Sequence, residues 1–180
     1  MKHRPHLWVP RPWDTSTLPV GYETERHMTK VLRYPIGDPV TYTDGAGITG
    51  LGRWKGSAVE RAEEATVPRV RAVHLAVAPP KSRDRQRFIV EKLQELGAAR
   101  LTWLTSDHGQ GRRPKQQRCE AWVTSALEQS RGAWRMIVDD GSLASPAPHL
   151  DPPAGARAGW LEQAMGRHAF VVLLFYRGFW

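Results

Sequence analysis

The segments Ala72-Val-His-Leu-Ala-Val-Ala78, Arg83-Asp-Arg-Gln-Arg-Phe-Ile-Val-Glu-Lys-Leu-Gln-Glu-Leu96 and Leu101-Thr-Trp-Leu104 decide the fold. The first is short, apolar and stopped by Pro79-Pro80, as a buried strand is. The second places Ile89, Leu93 and Leu96 at i, i+4 and i+7, one face of a helix, with Gly97 as its stop. The third is again strand-like. A strand, a helix and a strand in that order make a βαβ unit with parallel strands. Downstream the pattern repeats. Lys115–Ser130 puts Cys119, Trp122, Val123, Ala126 and Ser130 on one helical face, Gly132 ends it, and Arg135-Met-Ile-Val-Asp139 reads as a third strand. His74, mid-strand among apolar neighbours, is expected to be a satisfied core histidine, and Trp103 and Trp122 are expected in the core.

Upstream, Pro39–Trp54 alternates apolar and polar side chains and is broken at Asp44-Gly45, a strong hairpin signal. Glu25–Arg33 suits a short helix ahead of Pro35 and Gly37. The acidic, Ala-rich stretch Ala58–Ala65 is expected to be a surface loop or exposed turn. At the other end, Ser142–Ala158 holds four prolines and reads as a loop, and the apolar run from Ala169 reads as a buried strand. The expected class is α+β: a small β-barrel over residues 1–70, then an α/β domain with a parallel sheet over residues 71–180, altered after about residue 150.

The chain has 180 residues and a net charge of +8. One cysteine, Cys119, excludes a disulfide framework and a Cys-based zinc cluster and suits a reducing cytoplasm. No apolar run is long enough to span a membrane, and the start is unlike a signal peptide. The charge is uneven: +3 over residues 1–75, +6 over 76–135 and −1 over 136–180. The middle third holds two clusters, Lys81/Arg83/Arg85/Arg87 and Arg112/Arg113/Lys115/Arg118. Arginine forks bind phosphate bidentately, so a nucleic acid is the expected partner. For either cluster alone, a solvated basic face is the alternative.

Direct catalytic signals are few. The glycines of Asp44-Gly-Ala-Gly47 suit a hairpin turn better than a phosphate loop, which should open a helix. His27, two residues from Glu25, has the chemistry of a base, and a hydrogen-bonded structural histidine is the alternative. The seven histidines and one cysteine show no metal-ligand spacing. Glu128-Gln-Ser-Arg131 closes a helix whose other face is apolar. Gln129 and Ser130 can read base edges and Arg131 can hold a phosphate, or Arg131 can simply complement the helix dipole. Such loops are expected where ligands collect, at the carboxyl ends of strands.

The residues carry a family resemblance. His27-Met-Thr-Lys-Val-Leu-Arg33, Gly37-Asp-Pro-Val40, Asp44-Gly-Ala-Gly47, Pro80-Lys-Ser-Arg-Asp-Arg85, Glu91-Lys-Leu-Gln-Glu-Leu-Gly97 and Ala126-Leu-Glu-Gln-Ser-Arg131 occur in order over roughly residues 6–140. The ordered set resembles the RsmE family, bacterial 16S ribosomal RNA uridine-N3 methyltransferases that use S-adenosylmethionine. The resemblance implies a PUA-like barrel that grips RNA and a SPOUT-type α/β domain with a knot that holds the methyl donor. It also implies a homodimer acting on 16S ribosomal RNA or the small ribosomal subunit in the cytoplasm. His27 and Arg33 would face RNA from the barrel. Lys81 would lie at the dimeric cleft, while the basic clusters themselves make Lys81, Arg83, Arg112 and Arg113 the expected RNA contacts. Glu95, Gln129 and Ser130 would line the dimeric cleft, where Arg131 would stabilise charge developing on the uracil carbonyls.

The family pattern continues into a Gly-Pro-Glu-Gly-Gly loop and a later Leu-Gly…Ile-Leu-Arg…Thr-Ala segment. Neither occurs in this sequence, and residues 154–180 look unlike the family, so no donor-binding residue carries over. The sequence therefore sustains two expectations: an RNA methyltransferase with an altered or shortened knot region, or an RNA-binding protein without methyl transfer.

Overall fold

The computed structural model describes residues 4–69, 72–105 and 111–142. Strand β1 (His6–Trp8), β2 (Thr17–Pro19), helix α1 (Tyr22–Arg26) with a following π-helical turn (His27–Val31), β3 (Pro39–Thr43), β4 (Ile48–Trp54) and β5 (Ala58–Thr66) come first. The strands form one curled five-stranded sheet in the order β1-β3-β4-β5-β2, with β1 parallel to β3 and the other neighbours antiparallel. Then come β6 (His74–Val77), α2 (Arg83–Glu95), β7 (Arg100–Thr105), α3 (Gln116–Ser130) and β8 (Ile137–Ser142). Their strands form a separate parallel sheet in the order β6-β7-β8. The α+β class and both expected sheet types are present. The apolar run from Ala169 and the proline-rich loop expected over residues 142–158 lie outside the described residues, apart from Ser142, which ends β8.

Each sheet has its own core. Leu7, Val9, Trp13, Leu18, Met28, Val40, Tyr42, Trp54 and Val59 fill the concave face of the half-barrel. Val90 from α2, Leu101 and Trp103 from β7, Cys119 and Val123 from α3, and Met136 and Val138 fill the α/β layer, with Trp122 packed at its margin. At about 25 cal/mol per Å² of apolar surface removed from water, such side chains supply most of the driving force for folding. Among the described residues no helix is long and apolar enough to cross a membrane.

The hairpin turn forms where Asp44-Gly45 places it. The Asp44 carboxylate accepts hydrogen bonds from the backbone N–H of Ala46 (2.7 Å) and Ile48 (3.0 Å) and from Arg11 Nε (2.8 Å). Gly47 has φ +105°, and a Cβ there would run into the Trp134 ring, so only glycine fits.

Several expectations are corrected. Ala58–Ala65 is not a loop but most of the nine-residue β5. Its alternation is hidden because only Val59 is buried and residues 62–66 are exposed; pairing with β4 and β2 holds it extended. His74 is exposed, as the first residue of the four-residue β6, which among the described residues pairs only with β7. In α2 the innermost stripe is Gln86, Val90 and Gln94, with Ile89 and Leu93 only partly buried; Leu96, just beyond the last turn, is 82% exposed. Ser130 is exposed, and Arg131 (φ 56°), not Gly132, takes the left-handed residue that ends α3. The third strand starts at Ile137 rather than Arg135. The expected helix over 25–33 starts three residues earlier, at Tyr22, and its second half is the π-helical turn.

Candidate functional site

In a βαβ unit each helix starts at the carboxyl edge of the sheet and finishes at the amino edge. The starts of α2 and α3 therefore share an edge with the ends of β6 and β7. There lies a cleft of about 370 Å³ lined by Pro79, Trp103, Leu104, Thr105, Gly111, Arg112 and Arg113. Lys81 and Arg83 stand exposed on the loop and first turn beside it. Both helices turn their positive ends toward this edge. Arg113 is bonded to Asp140 in β8, whereas no carboxylate among the described residues pairs with Lys81, Arg83 or Arg112.

Two features hold the loops of this edge together. Gly111 lies so close to the Pro79-Pro80 main chain that a Cβ would collide with the Pro79 carbonyl. Gln86, 5% exposed, donates both amide hydrogens, to Pro80 O (2.7 Å) and to Arg112 O (2.8 Å). Sequence reasoning passed over Gln86. The available signal was a polar residue four positions before Val90, on the face that packs inward.

Glu95, Gln129, Ser130 and Arg131 close α2 and α3 and so belong to the opposite, amino-terminal edge. The expectation that Glu128–Arg131 borders the carboxyl ends of strands is thereby reversed, since these residues precede a strand rather than follow one. Glu95 is ion-paired with Lys92 (2.6 Å). Gln129 and Ser130 are exposed, and Arg131 Nη2 donates to the Arg4 carbonyl (3.0 Å). Glu128 accepts the Trp8 N–H (3.0 Å), and burial pushes its carboxyl above the ordinary range against that hydrogen bond. Within one chain, therefore, the four basic residues and the Glu95/Gln129/Ser130/Arg131 set do not share a cleft.

The amino-terminal edge is where the half-barrel docks. Gly47 N donates to Ala133 O (2.9 Å), Arg135 N to Gly45 O (2.8 Å) and Thr43 Oγ1 to Ala133 O (3.2 Å). His6 Nε2 donates to Gly132 O (3.3 Å), while Nδ1 lies 2.9 Å from Thr41 Oγ1. The Arg135 guanidinium covers the Trp8 ring at 4.4 Å, and Arg69 covers Trp134 at the same distance. A hollow of about 420 Å³ at this junction is lined by Arg4, His6, Glu63, Glu64 and Arg131 among others. His27 and Arg33 lie apart from it, exposed, at the start of the π-helical turn and just past its end.

Residues 67–143 match the family model of the RNA methyltransferase domain, and this is the segment that builds the parallel sheet and its basic edge. No curated protein sequence matches the chain. Among solved structures, a Porphyromonas gingivalis protein designated an rRNA-methyltransferase has a TM-score of 0.66 at 24% identity, covering 80% of this chain and 64% of its own. Ribosomal RNA small subunit methyltransferase E from Neisseria gonorrhoeae, solved bound to S-adenosyl methionine, has a TM-score of 0.66 at 20% identity, covering 98% and 91%. A Legionella pneumophila protein designated a methyltransferase, solved with the cofactor SAM, has a TM-score of 0.68 at 18% identity, covering 99% and 92%. The chain thus spans just under two thirds of the Porphyromonas gingivalis protein. Residues 67–143 are thus similar to an RNA methyltransferase domain. The fold of the chain is that of these solved structures.

Proposed function

We propose that this protein methylates N3 of a uridine in 16S ribosomal RNA, with S-adenosylmethionine as donor, as a cytoplasmic homodimer. One observation carries the reading: the segment that matches the RNA methyltransferase domain is the segment that builds the cleft and brings Lys81, Arg83 and Arg112, which have no carboxylate partner among the described residues. S-adenosylmethionine supplies an electrophilic methyl group on a sulfonium. The cleft is of small-molecule size. Its volume of about 370 Å³ falls in the range of small-molecule pockets, roughly 300–1,000 Å³, with Pro79, Trp103 and Leu104 as an apolar wall beside Thr105 and the two arginines.

Methyl transfer to N3 would form the N–C bond as the donor's S–C bond breaks, leaving a neutral thioether, and the imide proton would pass to water, so that negative charge develops on the flanking uracil carbonyls. Lys81, Arg83, Arg112 and Arg113 hold the RNA backbone in this reading, and His27 and Arg33 extend the grip from the half-barrel. Arg131 stabilises the carbonyl charge, with Glu95, Gln129 and Ser130 around it. In this reading Arg131, at the opposite edge from the cleft, reaches it from a second copy of the chain.

Isothermal titration with S-adenosylmethionine tests the reading. Binding with micromolar affinity is the expected outcome. Absence of heat up to millimolar donor overturns methyl transfer by this chain and leaves RNA binding alone.

A further inference from the structure

We propose that Gln86 is a positioning residue that fastens two basic loops into one phosphate clamp, so that Lys81 and Arg112 act on an RNA backbone as a pair. The inference rests on the RNA-binding reading of this edge given above. The loop between β6 and α2 brings Lys81, and the stretch leading into α3 brings Arg112. The two are far apart in sequence and joined by no strand pairing. Pro79 and Pro80 have no N–H, so neither of these two residues can donate to the neighbouring loop. The Gln86 amide supplies them. One hydrogen bonds the carbonyl immediately before Lys81 and the other bonds the carbonyl of Arg112 itself.

The amide is buried, so water does not readily replace either bond. A leucine would suit the inner stripe of α2 better than a glutamine, whose burial is costly unless both hydrogens are used. Here both are used, and both go to the loops that carry the cations. Gly111 presses the same loops together from the other side, without space for a side chain. Lys81 and Arg112 have no carboxylate partner among the described residues, so the pair is available to an anion. Arg113, tied to Asp140, is the less available of the two arginines.

The test is a double-mutant cycle read by fluorescence anisotropy, using the full chain and a short labelled single-stranded RNA rich in uridine. Lys81→Ala and Arg112→Ala are each expected to weaken binding and to lower the slope of log affinity against log salt by about 1. If the two grip one phosphate together, the double variant loses less than the product of the single losses, by roughly threefold or more. In Gln86→Met, which keeps the volume and removes both hydrogen bonds, that coupling is expected to vanish while each single effect persists. Gly111→Ala, which wedges the same loops apart without touching Gln86, is expected to do likewise and serves if Gln86→Met fails to fold. Coupling that survives in the folded variants, or independent effects in the parent protein, overturns the clamp. If neither Lys81→Ala nor Arg112→Ala weakens binding, the RNA reading of this edge is what fails, an outcome distinct from the other two.

Discussion

His6 occupies the seam between the half-barrel and the α/β layer, with one ring nitrogen on the Gly132 carbonyl and the other beside Thr41. Burial lowers its pKa below the ordinary 6.5, the Gly132 hydrogen bond opposes this, and the nearby Arg131 charge adds to the lowering. The folded ring thus stays neutral at a pH where an unfolded chain takes up a proton. Stability contributed here is present above pH 6.5 and is lost as pH falls below it toward the folded value. Thermal denaturation should therefore show a midpoint that drops as pH is lowered through that window. His6→Gln, which keeps a donor without a titrating ring, should show a shallower drop; an identical pH profile would remove His6 as the cause. Nothing in the sequence marked this residue. His6 lies at the start of a three-residue strand, and its partner carbonyl belongs to a residue 126 positions away.

At the scale of elements, legibility followed periodicity. Strands β6 and β7 and helix α2 were visible because apolar runs, a helical spacing and Gly97 agree with one another. The inner face of α2 was misjudged because two of its three innermost residues, Gln86 and Gln94, are amides. Gln94 accepts from Met136 N (2.7 Å) and donates to Trp134 O (2.9 Å), so it stitches α2 to the approach to β8. A hydropathy reading that discounts amides turns the helix toward Leu96. Replacing the two leucines measures the difference. Leu96→Ala should change unfolding free energy in urea by no more than about 0.5 kcal/mol, as at other exposed sites. Leu101→Ala, at a fully buried position of β7, should cost roughly 2–5 kcal/mol. Equal costs would mean that Leu96 is covered. β5 stayed illegible for the opposite reason: its extended form comes from its neighbours, not from its own side chains. The basic clusters were legible as charge. That the clusters and Arg131 fall at opposite edges follows from the βαβ order itself, because a helix returns the chain to the edge where the next strand begins.

At the scale of the whole molecule, the two sheets bury separate cores and meet through the short connection between α3 and β8. Arg131 reaches Arg4, Gly132 receives His6, Ala133 receives Gly47 and Thr43, Trp134 lies against Gly47 and under Arg69, and Arg135 covers Trp8 and bonds Gly45. Five consecutive residues therefore each make a contact with the half-barrel or the chain flanking it. Connections between elements ordinarily absorb added residues with little effect. Here one added residue displaces every downstream contact by a full position, so length itself becomes a constraint. In an insertion scan read by soluble yield and melting temperature, one glycine placed anywhere within residues 131–135 should be as damaging as a core truncation. The same insertion at Gly56, on the β4–β5 turn, should be mild. Equal tolerance at both places would show that the seam can re-register. If the expected asymmetry is found, chains that diverge from this one can change composition in the connection far more freely than they can change its length.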